Sequence, residues 1–246
     1  MGWATFLLGF VGVFALFHVL ASVFGSHRGE AGAVVASCVL AAVWLIAVLA
    51  AGDTPKTALA RLGIGRPAPP GLVAVAVIVA ALLAVVSVSL GPSWTLYPNA
   101  TVLAVGIFLQ AGLAEESLFR AYLFGRLRPG RTFWQAAWLA AGPFVAAHLF
   151  LFFTLPLPLA AASVGLSVVT TFPFARLYEL GGRTVWAPAI LHAVVQGVPK
   201  LVVPAVEGVT FPLLWMAACA ILPFAVFLPV FGGTNVGNGI GESLRG

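Results

Sequence analysis

Apolar runs of about 20 residues recur through almost the whole chain, and a polypeptide patterned in this way folds in lipid rather than in water. Eight runs are read, at about 3–24, 31–51, 71–91, 99–125, 133–153, 157–177, 185–204 and 210–231. Each has about the length needed to cross a hydrocarbon core of about 30 Å. Backbone N–H and C=O groups find no water there, so a spanning segment must be a helix or a strand of a closed barrel. The runs lack the alternation of barrel strands. The expected fold is therefore an all-α polytopic membrane protein of about eight transmembrane helices. Composition agrees, because only 8% of residues are charged against about 25% in an ordinary soluble domain.

Short loops carry most of the basic residues. Lys56, Arg61, Arg66, Arg126, Arg128, Arg131, Arg176, Arg183 and Arg245 fall on one side of the predicted spans, Arg28 and Lys200 on the other. Nine against two places the N- and C-termini in the cytoplasm by the positive-inside rule. The same rule explains the pI near 9.9 without a nucleic-acid partner, and none is expected. Trp94, Tyr97, Trp134, Tyr178 and Trp186 sit near span ends, where aromatic rings anchor at headgroups. Cys38 and Cys219 have no CxxC partner and are read as small buried packing residues. The N-terminus lacks a basic n-region, so no cleaved signal is expected, and the C-terminus has no lipidation box. A single transmembrane domain over 1–231 is expected, with its polar motifs within about 99–204. Gly52–Pro70 reads as the longest internal loop, and the Gly-rich 232–246 as a flexible cytoplasmic tail.

The fourth span contains AEESLFRAYLF, which puts Glu115, Glu116 and Arg120 inside a membrane helix. One charge at a helix centre costs about 2.5–3.5 kcal/mol on insertion scales. Glu116 and Arg120, spaced i, i+4, share a face and can neutralise each other. Glu115 has no such neighbour, so it must be neutral, solvated or paired with another helix. Intramembrane carboxylates mark functional sites by default. The fifth span offers Phe144 and His148, and the seventh His192 and Gln196, each pair at i, i+4. His18 lies in the first span and His27 in the first loop. A carboxylate, two imidazoles and an amide make a hydrolytic set: a general base for water and donors for the oxyanion that forms when water attacks a carbonyl. His and Glu are also zinc ligands, but the chain has no HExxH. No metal ligand is assigned and no cofactor is expected, a divalent metal such as zinc being the less favoured alternative.

At these residues the chain resembles the CAAX prenyl protease 2 and bacteriocin-processing (CPBP, Abi) family of intramembrane proteases. The resemblance rests on EExxxR at Glu115–Arg120, FxxxH at Phe144–His148 and the third-motif histidine, His192, in the expected order. It implies a polytopic helical peptidase whose site lies within the membrane near its cytoplasmic face. Carried over, Glu115 activates water with His148 assisting, while His192 and the residue four positions on stabilise the oxyanion. Glu116, Arg120 and Phe144 support the site. The family's third motif usually reads HxxxN or HxxxD, and here Gln196 stands in that place, one methylene longer. The resemblance further implies membrane lipid as surroundings and a peptide or lipidated protein as substrate. The Ala-, Val- and Gly-rich composition points to a prokaryotic cell membrane. The rival classes are a non-catalytic relative that binds a membrane partner and a proton-coupled transporter, whose buried Glu and His groups are similar.

Overall fold

The computed structural model describes residues 2–24, 29–91, 94–205 and 210–231. The expected tail at 232–246, together with His27 and Arg28, lies outside the described residues. Among those described, seven helices have the length and apolar composition to cross a membrane: α1 (Trp3–Phe24), α2 (Gly29–Ala51), α4 (Pro69–Leu90), α5 (Ala100–Leu127), α6 (Phe133–Thr154), α7 (Leu157–Leu180) and α9 (Thr210–Phe227). Two shorter α-helices are α3 (Pro55–Arg61) and α8 (Trp186–Leu201), and a single 3-10 turn follows at Pro229–Phe231. Strands β1 (Trp94–Leu96) and β2 (Val202–Pro204) pair antiparallel, with Thr95 opposite Val203. The chain is an integral multi-pass membrane protein of all-α class.

Four expectations need correction. The stretch read as a loop at Gly52–Pro70 contains α3, which starts where Thr54 Oγ1 accepts from Thr57 N–H and Pro55 occupies the first turn, two helix-start signals acting together. The run at 185–204 is helical only as α8, whose 16 residues span about 24 Å at 1.5 Å per residue, short of a full hydrocarbon core. Pro199 has no N–H to give the Val195 carbonyl, and the indole of Trp215 donates to that oxygen instead at 3.2 Å. The β-branched Val202 and Val203 then leave the helix as β2, in keeping with their stiffness. Finally, Cys38 is exposed, and Tyr178 is buried edge-on against Phe124 rather than set at a headgroup surface.

The loops assigned by charge to one side do meet. Gly63 O accepts from Val185 N–H at 3.0 Å, Gly181 O accepts from Ala68 N–H at 3.0 Å, and Arg128 pairs with Glu179 at 2.6 Å. At the other end, the β1–β2 ladder, extended by Tyr97 N–H donating to Leu201 O, ties the entry of α5 to the exit of α8.

α5 is the central helix. Of its most apolar 18-residue window 67% is buried, against 22–39% for the other six spans. One apolar cluster gathers Phe6, Val39, Leu118, Phe119 and Phe144, and a second gathers Ile78, Leu82, Leu177, Leu191 and Trp215. α5 belongs to the first and most of α8 to the second, so the two helices meet along the seam. Glycine makes that approach close: a Cβ on Gly112 would stand 2.9 Å from the Ala189 carbonyl oxygen. Small residues at such contacts let membrane helices touch backbone to backbone. Gly112→Val should therefore force α5 and α8 apart and lower stability by about 1–3 kcal/mol, as overpacking does. Thermal unfolding in detergent measures it, and unchanged stability would show that the seam yields.

Candidate active site

α5 does not follow one helical form. It is α-helical over Ala100–Ile107, π-helical over Phe108–Ala114 and again over Ser117–Phe124. π-turns hold more residues per turn than α-turns and are frequent at functional sites. Glu115 and Glu116 form the α-helical step between the two π stretches. Neighbouring bonds fix the helix in rotation. Ser117 Oγ donates to Leu62 O at 2.9 Å, and the Tyr122 hydroxyl donates to Phe6 O at 3.1 Å.

Both carboxylates face His192 on α8. Its Nδ1 donates to Glu116 Oε1 at 2.7 Å, and its Nε2 lies 3.9 Å from Glu115 Oε2. One imidazole thus stands between two adjacent carboxylates, with one nitrogen toward each. Glu116 is fully buried, His192 is 3% exposed and Glu115 6%. Glu115, which has no partner on its own helix, faces this imidazole across the seam.

Glu116 serves two partners, because its other oxygen, Oε2, lies 3.1 Å from Arg120 Nε. This is an ion-pair contact whose angles fall outside hydrogen-bond geometry, and the guanidinium has no hydrogen-bond acceptor among the described residues. Aromatic faces take that place: Arg120 Cζ sits 4.2 Å from the Phe144 ring centroid and 5.2 Å from that of Phe174. Desolvated cation–π contacts are worth about 2 kcal/mol. Phe144 also meets His192, with centroids 6.1 Å apart, and His148 at 4.9 Å.

His148 stands at a break in α6. Its own N–H bonds to Val145 O, and the next turn runs through i, i+3 bonds as far as Phe153. The imidazole Nδ1 lies 2.8 Å from the Phe144 carbonyl oxygen. A carbonyl can only accept, so Nδ1 carries the proton and Nε2 keeps its lone pair. Among the described residues, His148 makes no hydrogen bond to the other site side chains. The Phe144 ring separates it from His192.

On α8 the polar stripe continues outward. Gln196 Nε2 lies 3.4 Å from His192 Nε2, and Lys200 Nζ donates to Gln196 Oε1 at 2.8 Å. The structure therefore brings Glu115, Glu116, Arg120, His192 and Gln196 into contact, with Phe144 packed against them and His148 one ring away. Three neighbours were not anticipated. Lys200 counted only as a loop charge, although its i+8 spacing from His192 puts it on the same helical stripe. Phe174 carries no sequence signal beyond being aromatic. His18 points toward the Ala147 carbonyl at 3.4 Å, beside His148. Among the described residues, no three His, Cys, Asp or Glu side chains are placed to hold a metal ion.

Residues 97–198 match the family model described as type II CAAX prenyl endopeptidase Rce1-like. The site-bearing segment is similar to that family. It runs from the residue after β1 to the last turn of α8, and takes in Glu115 through Gln196 with everything between. The match thus supports the CAAX prenyl protease 2 and bacteriocin-processing family, a family of proteases. It covers about two-fifths of the 246-residue chain, and Lys200 lies just beyond it. No curated protein and no solved structure matches the chain.

Proposed function

We propose that the protein is an intramembrane endopeptidase, CAAX-protease-like, that hydrolyses a peptide bond of a membrane-associated peptide or lipidated protein with water activated at Glu115. The observation that carries this reading is the placement of His192 between Glu115 and Glu116, buried within the membrane segment. Glu115 is the general base: it takes a proton as the water oxygen attacks the scissile carbonyl, and a tetrahedral oxyanion forms. It then returns that proton to the departing nitrogen as the C–N bond breaks, leaving a carboxylic acid and an amine. His148, with its Nε2 lone pair free, assists the proton transfer. Glu116 holds the imidazole at Nδ1 so that Nε2 faces Glu115, where a proton on it would donate to the oxyanion. The Gln196 amide supplies a second donor. Such donors act most strongly where water is excluded. The reading needs no metal ion.

Purified protein reconstituted in lipid, given membrane-spanning and prenylated reporter peptides in H₂¹⁸O, tests the proposal. Cleavage should yield fragments whose new carboxyl carries one ¹⁸O. Intact peptides together with pH-driven ion flux would instead assign the site to transport, and intact peptides without flux to a non-catalytic role. Gln196→Ala should lower kcat by about 10²–10³-fold, as removal of one oxyanion donor does, with little loss of stability because Gln196 is only half-buried. Equal kcat in wild type and variant would remove Gln196 from the oxyanion site.

A further inference from the structure

Lys200 is assigned by neither the sequence motifs nor the family match, which ends at residue 198. It is nevertheless the terminus of the polar stripe His192–Gln196–Lys200, spaced i, i+4, i+8 along α8. Exposure rises along that stripe: His192 is buried, Gln196 half-buried and Lys200 exposed.

An amide side chain has two nearly isosteric ends of opposite hydrogen-bonding sense. Which end faces His192 decides whether Gln196 offers an oxyanion a proton or a lone pair. His192 alone does not hold it, because with Nδ1 donating to Glu116 its Nε2 accepts when the ring is neutral and donates when it is protonated. An ammonium group has three donors and no acceptor. The atom 2.8 Å from Lys200 Nζ is therefore the amide oxygen, Oε1, and the NH₂ end is left pointing at His192 Nε2, 3.4 Å away. The four-carbon lysine stem reaches back one turn to make this contact. The extra methylene of glutamine, relative to asparagine, lets a single amide touch Lys200 and His192 at once.

We infer that Lys200 is a positioning residue that locks the Gln196 amide with its N–H donors turned into the active site. The inference rests on the peptidase reading for its consequence, but the lock itself is a property of the resting protein. Without the ammonium, rotation by 180° about the last torsion presents Oε1 to the oxyanion, which it repels. Orientation of this donor matters where charge develops, so the loss falls on kcat rather than KM.

The test uses the full-length protein selectively ¹⁵N-labelled at glutamine, with the Gln196 side-chain amide assigned by its loss in Q196N. Lys200→Met should shift the Gln196 amide resonances and lower kcat about tenfold or more at unchanged KM, and Lys200→Arg should restore both. Because Lys200 is exposed, the variant's thermal stability should match wild type. In the Q196N background, where the shorter amide cannot bridge to Lys200, Lys200→Met should change kcat less than twofold. Three results overturn the inference: amide resonances that ignore Lys200→Met, a wild-type kcat in that variant, or kcat losses for Lys200→Met and Gln196→Ala that multiply when combined. A wild-type protein that cleaves no peptide fails at the peptidase reading, and the positioning role falls with it. Unmoved resonances in an active wild-type enzyme fail at Lys200 alone.

Discussion

Glu115→Gln is expected to lower kcat by about 10²–10⁴-fold, the range that a positioned general base supplies, while leaving the helices assembled. The amide keeps the size of the carboxyl group but cannot take a proton from water. Glu115 lies 3.9 Å from His192 Nε2, a distance that leaves the hydrogen bond to Glu116 as the main hold on the imidazole. Loss of Glu115 should therefore empty the reaction of its base without releasing His192. Cleavage kinetics measured beside thermal unfolding separate the two effects. A variant that cleaves at the wild-type rate would show that the water is activated elsewhere.

Glu116→Gln should act in the opposite way, through stability first. Glu116 is fully buried and meets two partners, accepting from His192 Nδ1 and pairing with Arg120, itself 2% exposed. Neutralising it strands the guanidinium between Phe144 and Phe174 without its ion-pair partner. Removing one partner of a buried ion pair costs about 3–5 kcal/mol, because the remaining charge stays desolvated. The double variant Glu116→Gln with Arg120→Met removes both charges and should regain part of that stability. It should not regain activity, since an amide at position 116 no longer fixes which nitrogen of His192 carries the proton. Unfolding in detergent and a double-mutant cycle measure the coupling. Strictly additive losses would mean that the two side chains, though 3.1 Å apart, do not support each other.

The two outcomes together distinguish a base from its support. A site in which both carboxylates merely held helices together would lose stability in both variants. A relay that passes protons without hydrolysis would lose flux in Glu115→Gln while peptides stayed intact throughout.

The helical class, the apolar segments and the residue types of the site are legible in the sequence, because membrane solvent imposes them locally. An apolar run of about 20 residues has no other means of satisfying its backbone. Charges inside such a run must find a use or a partner, and that singles out Glu115, Glu116 and Arg120 before any coordinates. The i, i+4 spacings of Glu116 with Arg120 and of Phe144 with His148 likewise follow from helix geometry, and both pairs touch. Which group faces Glu115 was not legible, since it depends on Gly112 letting α8 approach α5 and on how α5 is rotated about its axis. Neither is encoded in the spacing of the motif residues. The same holds for the shortened α8, where the Val195 carbonyl that Pro199 cannot bond is taken by a tryptophan on another helix, and for Lys200, which counts as a loop charge until the fold sets its ammonium on the Gln196 amide. Local sequence determined which groups must be buried in lipid. Tertiary packing decided which of them face each other, because contacts between distant segments are set by how closely helices approach and how each is rotated about its axis.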